Sequence, residues 1–276
     1  ALPILGGSTQ QIPAIVYAKS IGLFTILCDF IPDNPGQHYA DQYFCLSTTD
    51  KEAILHVAET ECVEGIVSYA SDPAAPTAAY VAEKLGLPTN PYKSVQILSL
   101  KNLFRKFLKE NGFNCPHAES FTTTDAALSA IEKFNFPIMI KPNDSSGSKG
   151  VNRANERDVC KKYIELAFEN SREKTIIIEE FIVQDHPYMI AGDCFVEDGE
   201  VVFWGFLNSH REKTGNPFVP VGTSYPITLS PSRIERVKEA LDRLFRLLDI
   251  QFGAFNIEVM IDQNDDLYIV EIGPRN

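Results

Sequence analysis

Two glutamates thirteen residues apart, Glu258 and Glu271, lie in two strand-like runs, AFNIEVMI (254–261) and LYIVEI (267–272), joined by Asp-Gln-Asn-Asp-Asp. The connection has turn chemistry. Folding the runs about their midpoint sets Ile261 against Tyr268, Val259 against Val270 and Ile257 against Ile272, which makes one face apolar. The same register sets Glu258 against Glu271 on the other face. Two carboxylates across a ladder repel each other. A divalent cation between them turns that cost into attraction, and Mg²⁺ or Mn²⁺ suits an all-oxygen donor pair. The plain alternative is an exposed face with two solvated acids, and a one-residue slip would separate them.

A second group of residues has phosphate chemistry. The loop KPNDSSGSKG (141–150) follows an apolar strand and carries Lys141 before it and Lys149 within it. Glycines let backbone approach a phosphate, hydroxyls of Ser145, Ser146 and Ser148 donate to its oxygens, and lysine supplies charge. The ending G-K-[ST] of a Walker loop is absent. Lys101 sits in the amphipathic pattern SLKNLFRKFLKENG. Glu179-Glu180-Phe181-Ile182 follows an apolar strand, where a linker can offer backbone groups to a purine edge and apolar side chains to its faces. The segment 208–226 reads as a long irregular stretch with His210, Arg211 and Lys213, and Arg211 could grip a substrate carboxylate as a bidentate fork. Gly6-Gly7-Ser8, with Asp29 ending the next strand 22 residues after Gly7, allows a dinucleotide reading, although G-x-G-x-x-G is absent.

Composition bounds the alternatives. The net charge of −12 over 276 residues disfavours nucleic acid and anionic membrane as partners. The six cysteines are scattered without a C-x-x-C pair, which suits a reducing cytoplasm rather than a disulfide framework or zinc site. No basic leader opens the chain, and no apolar run reaches membrane-spanning length.

The elements that must position these residues alternate at first. Strands are expected at 2–5, 23–29, 43–48 and 65–69, with helices at 10–21, at 50–60 behind a Thr49/Glu52 capping box, and up to Leu85 before Gly86. This alternation implies a doubly wound parallel α/β sheet. The proline-rich Leu87–Pro91 marks a boundary. Beyond it a helix is expected at 95–111, then helices at 125–134 and 156–169, strands at 136–141 and 175–180, and a hairpin turning on Asp198-Gly199. A helix opened by Ser230 and Pro231 carries the stripe Ile234, Val237, Leu241, Leu244 and Leu248. This half reads as α+β.

Taken in order, Lys101 in a helix, Lys141 before a Ser/Gly loop, IIIEEFI, Glu258 and the terminal EIGPRN resemble the ATP-grasp superfamily over nearly the whole chain. The resemblance implies a Rossmann-like pre-ATP-grasp domain at 1–91 and an ATP-grasp domain at 92–276, with subdomains of about 92–178 and 179–276. It implies ATP as cofactor, with Lys101 and Lys141 on its phosphates and the serine loop, Lys149 included, as lid. Glu179 and the backbone of Glu180 and Ile182 would meet the adenine edge, with Phe181 and Ile182 near the ring. Glu258 and Glu271 would hold Mg²⁺, and Arg275 would stabilise the transferring phosphoryl group. The implied reaction is ligation of a small-molecule carboxylate to an amine through an acyl phosphate. A bicarbonate-phosphorylating, carbamoyl-phosphate synthetase-like enzyme is the alternative, and an NAD-dependent oxidoreductase a third. Dimers are common among similar enzymes. Three departures stand out: Gly273 replaces the Asn of E-x-N-P-R, only Asp185 or His186 offers itself for the ribose, and the chain stops where such enzymes commonly continue.

Overall fold

A computed structural model describes residues 1–211 and 217–274. The elements run β1 (Leu2–Leu5), α1 (Ile12–Ser20), β2 (Thr25–Asp29), β3 (Gln42–Cys45), α2 (Lys51–Thr60), α3 (Ala75–Leu85), α4 (Tyr92–Ser99), α5 (Lys101–Glu110), β4 (Ala118–Phe121), α6 (Thr124–Ala130), β5 (Ile138–Pro142), β6 (Asn152–Ala154), α7 (Cys160–Glu169), β7 (Ile176–Glu180), β8 (Met189–Glu197), β9 (Glu200–Arg211), β10 (Pro220–Ser224), α8 (Pro231–Leu247), β11 (Gly253–Ile261) and β12 (Leu267–Pro274).

Strands β1, β2 and β3 form a parallel sheet in that order. Successive residues of a strand face opposite ways, so Ile4 packs with Ile15 and Ala18 of α1, whereas Leu5 packs with α2 and α3 on the other face. The expected fourth strand at 65–69 is reduced to one parallel bridge, Ile4–Val67. The expected Thr49/Glu52 capping box is replaced by Asp50, whose carboxylate accepts from the Ala53 amide at 3.1 Å. All cysteines are free thiols. Among the described residues, no helix is long and apolar enough to cross a membrane.

The rest of the chain builds two antiparallel sheets, β4-β7-β5-β6 and β10-β9-β8-β11-β12. The first packs on α6 and α7. The second packs on α8, and the core it forms also takes Leu98, Phe104 and Leu108 of α4 and α5. The single helix expected at 95–111 is broken at Leu100, whose backbone is extended (φ −108°, ψ 114°). The break makes Lys101 the first residue of α5, and Asn143 caps it: its carbonyl accepts from the Lys101 amide at 3.2 Å and its side chain from the Asn102 amide at 2.8 Å. The start of the serine loop is thereby bolted to the helix that carries Lys101. In segment 208–226, expected to be irregular, residues 208–211 end β9 and 220–224 form β10, which pairs back on β9. The hairpin at Asp198-Gly199 forms as expected, with φ of 51° and 78°.

The closing hairpin matches the expected register only in part. Ile257 faces Ile272 and Glu258 faces Glu271, but Val259 then faces Ile269, Met260 faces Tyr268 and Ile261 faces Leu267. Val270 is the extra residue of a β-bulge. Expected pairs Val259–Val270 and Ile261–Tyr268 therefore do not form. The reason lies in the core: Ile269 and Ile272, three residues apart, are both buried in it. A regular strand would send them to opposite faces.

Gly273 follows on the same face as Glu271. A Cβ there would lie 2.6 Å from Asp72 Oδ1, which reaches the strand from the segment just before α3. The side chain of Asp72 fills the space that an asparagine at 273 would need. Gly273→Asn should therefore destabilise the fold by about 1–2 kcal/mol through overpacking, and Asp72→Ala should remove most of that penalty in the double variant. Urea unfolding of the four chains checks this; equal losses with and without Asp72 would place the clash elsewhere.

Candidate active site

One cavity of about 340 Å³ lies between the two antiparallel sheets. The four-stranded sheet and its loops supply Lys141, Ser145, Ser146, Ser148, Glu179, Glu180, Phe181 and Ile182, α5 supplies Lys101, and the five-stranded sheet supplies Arg211, Glu258 and Glu271. Lys149 departs from expectation and lines a neighbouring, larger cavity with Gly6, Ser8, Asp29, Tyr69 and Arg172; the two spaces meet at Ser146 and Gly147. Arg275, Asn276 and Lys213 lie outside the described residues.

Alternation along strands explains who joins whom. Lys141 points into the cavity, and so does Met139 two residues earlier; Glu258 brings Met260 in the same way. With Phe181, Ile182 and Val270, these methionines form an apolar wall beside the charged groups. Sequence reasoning missed Met139 and Met260, although the i, i+2 rule applied to Lys141 and Glu258 finds both. It also missed Arg153, whose guanidinium stacks 4.1 Å from the centre of the Phe181 ring.

Glu179 is held by two cations. It is 3% exposed and accepts from Arg105 Nε at 2.9 Å and from Lys141 Nζ. Arg105, four residues after Lys101 on α5, is itself 5% exposed and donates through Nη1 to the Val270 carbonyl at 2.9 Å. Burial alone would push the Glu179 carboxyl up, but Arg105 and then Lys141 outweigh it and hold it down at about 2. The expected contact of this carboxylate with an adenine edge thus competes with a formed ion cluster. Glu180 turns outward to the Asn135 amide (3.0 Å), and its own N–H donates to the His117 carbonyl (3.0 Å).

The acidic pair has a partner too. Glu258 accepts from Arg211 Nη2 at 2.8 Å, and Arg211 Nη1 donates to the Phe218 carbonyl at 2.8 Å. Arg211 therefore grips Glu258, not open space. Burial raises the Glu258 pKa, Arg211 opposes, and Glu271 adds to the rise. The serine loop is tied down by Lys101 Nζ donating to the Ser145 carbonyl (2.8 Å) and Ser148 Oγ donating to the Phe218 carbonyl (2.9 Å). Gly147 and Ser148 are both left-handed, at φ 67° and 59°.

Among the described residues, no cluster of three metal-ligating side chains is assembled. The two facing carboxylates on one cavity wall are a donor set that fits a hard divalent cation completed by water and phosphate oxygens. The ribose candidates lie elsewhere. Asp185 pairs with Arg233 at 3.2 Å. His186 accepts the Ile261 N–H at Nε2 (3.1 Å), and its pKa is lowered by burial, so its ring braces a strand. Gln184 lines the cavity instead. His210 bonds Ser224 Oγ at 2.9 Å. The dinucleotide reading finds its groups already engaged. Asp29 accepts from the Gly7 amide (2.7 Å) and the Ile31 amide (2.8 Å), and Asn34 stands where a Cβ on Gly7 would be.

The depressed carboxyl of Glu179 has a pH consequence. Its folded pKa lies below the ordinary value, so its contribution to stability is complete above about 4.5 and is lost as pH falls toward about 2. Glu179→Gln should cost about 3–5 kcal/mol at neutral pH by leaving Arg105 without a counter-charge. That gap should shrink through this acid window in urea unfolding at stepped pH; a constant gap would contradict the ion cluster.

Residues 107–275 match the family described as D-ala D-ala ligase C-terminus. Over 268 residues, 95% of the chain, the sequence is 25% identical to the carbamoyl phosphate synthase large chain, C-terminal section, of Aquifex aeolicus; the chain spans 49% of that protein, about half its length. The fold superposes on the L-amino acid ligase from Bacillus licheniformis with a TM-score of 0.79, at 23% identity, covering 99% of this chain and 66% of that one. For N5-carboxyaminoimidazole synthetase from Staphylococcus aureus complexed with ADP, the TM-score is 0.77 at 19% identity, with 100% and 70% covered. The family match takes in well over half of the 276 residues, and the chain belongs to the D-ala D-ala ligase C-terminus family of the ATP-grasp superfamily.

Proposed function

We propose that this chain is the nucleotide-binding part of an ATP- and Mg²⁺-dependent ligase that activates a carboxylate for attack by an amine. The observation that carries this reading is the single cavity that gathers two lysines, three lid serines, an apolar wall and two facing glutamates. Phosphoryl transfer asks a protein mainly for positioning and charge neutralisation, and these groups supply both. Adenine lies against Met139, Phe181, Ile182 and Met260, with its edge toward the linker backbone at Glu180–Ile182. Lys101 and Lys141 meet the phosphates, and Ser145, Ser146 and Ser148 close over them.

Glu258 and Glu271 are the residues we assign to the divalent cation, which when bound neutralises charge on the phosphate oxygens and orients them. Arg211, which donates to Glu258 at 2.8 Å, is the residue we assign to the carboxylate of the substrate acid. Arg275 is assigned to the transferring phosphoryl group. The larger cavity lined by Ser8, Tyr69, Lys149 and Arg172 opens onto the same lid and is where we place the second substrate. The division into a Rossmann-like unit at 1–91 and an ATP-grasp unit at 92–276 is part of this proposal, supported by the parallel sheet with helices on both faces. The similarity to a carbamoyl phosphate synthase section supports the alternative, in which bicarbonate is the acid phosphorylated.

The full natural chain should be stabilised by Mg-ATP and not by NAD; a ligand at 100 times its dissociation constant adds about 2.7 kcal/mol. ADP release across a panel of acids, with and without amines and with bicarbonate, separates the two acids, and hydroxylamine should trap an acyl phosphate. Blank traces with every acid would end the ligase reading. Glu271→Gln should lower turnover by about a hundredfold or more with the fold intact, because transition-state charge is left without its cation; retained turnover in a folded variant would contradict the metal role.

A further inference from the structure

Around Glu179 two cations serve one anion, and only one of them faces the cavity. Lys141 and Glu179 line the nucleotide space, whereas Arg105 stands behind them. Arg105 holds Glu179 through Nε at 2.9 Å and Nη2 at 3.5 Å, and fixes its own position by donating to the Val270 carbonyl. A carboxylate this deeply buried cannot give up its last cationic partner without a large desolvation penalty. With Arg105 in place, it has a second.

We propose that Arg105 is a positioning residue that lets Lys141 pass from Glu179 to an incoming phosphate. Lys141 donates to Glu179. When a nucleotide's phosphate arrives, Lys141 turns to it, and Glu179 remains paired through the Arg105 fork. The cluster's net charge of one positive unit is thus delivered to the ligand, while the buried acid stays neutralised. The Val270 carbonyl is available to anchor Arg105 because the bulge takes Val270 out of the β11–β12 pairing beside Glu271. The same arginine therefore braces the phosphate lysine and the metal strand. Arg105 touches neither phosphate nor metal; it acts through Glu179 and Lys141.

This inference rests on the nucleotide reading above, and calorimetric titration with Mg-ADP and with adenosine tests the two separately. Wild-type chain that binds neither ligand overturns that reading and this inference with it. Given wild-type binding, Arg105→Met leaves Glu179 with Lys141 as its sole cation. ADP affinity should fall about tenfold or more, while adenosine affinity, which uses no phosphate contact, should change less than about threefold. A general loss of structure would weaken both ligands alike, and that outcome overturns the proposal, as does unchanged ADP affinity. The double variant Arg105→Met/Glu179→Gln removes the anion that retains Lys141, and should return ADP affinity to within about threefold of wild type. If the single variant does not fold, the double decides alone: a folded double that has lost about tenfold in ADP affinity overturns the exchange.

Discussion

The register of the closing hairpin is the constraint from which the rest of the site follows. Glu258 and Glu271 face each other because Ile257 and Ile272 meet in the core one step away. One step in the other direction the pairing slips by a residue, so that Ile269 also reaches the core. Burying Ile269 and Ile272 together removes about 1.5–3 kcal/mol of apolar exposure per side chain. An ordinary ladder at that point would keep one of them out. The bulge that reconciles them leaves Val270 at the cavity wall with its carbonyl turned to Arg105. A packing requirement on one face of the sheet thus sets polar geometry on the other.

Charge is handled in two layers. The protein carries a net −12, yet its cavity concentrates Lys101, Lys141, Arg153 and Arg211, with Arg105 behind. Surface pairs such as Arg233 with Asp265 are worth little, because water and salt screen them. The buried set around Glu179 is different in kind, because removing one partner strands the other in low dielectric. The acidic pair is the milder case: Glu258 keeps a quarter of its side-chain surface, and Arg211 offsets its charge only in part. The deeply buried Glu179 carboxylate is firmly ionised, while that of Glu258 on the cavity wall is held less firmly.

Much of this was legible in the sequence, for reasons that are local. Strand period, the Asp198-Gly199 turn, the Ser230 cap and Gly86 after α3 are nearest-neighbour signals, and the structure follows them. The pairing of Glu258 with Glu271 was legible because turn and apolar face agreed. What the sequence hid depends on distant partners. The bulge at Val270 reflects which isoleucine the helical layer accepts. The break at Leu100 reflects a cap from Asn143, forty-three residues on. Arg105 reads as one more cation on an amphipathic helix until β7 and β12 are brought to it. Gly273 reads as a missing ligand until Asp72, two hundred residues earlier, is seen in its place.

The bonds within the site are the ones a ligand would have to replace. Lys101 holds the Ser145 carbonyl, Ser148 and Arg211 share the Phe218 carbonyl, Arg211 holds Glu258, and Lys141 holds Glu179. Each pairs a group suited to phosphate, cation or carboxylate with a protein stand-in of the same charge sense. These contacts keep the polar groups of the site hydrogen-bonded, which avoids the penalty of unsatisfied polar atoms near an apolar wall. Binding then exchanges contacts of similar strength, so its net free energy is smaller than the sum of the new bonds. Because Ser148 and Arg211 both donate to the Phe218 carbonyl, the serine loop and the acidic pair share one backbone anchor.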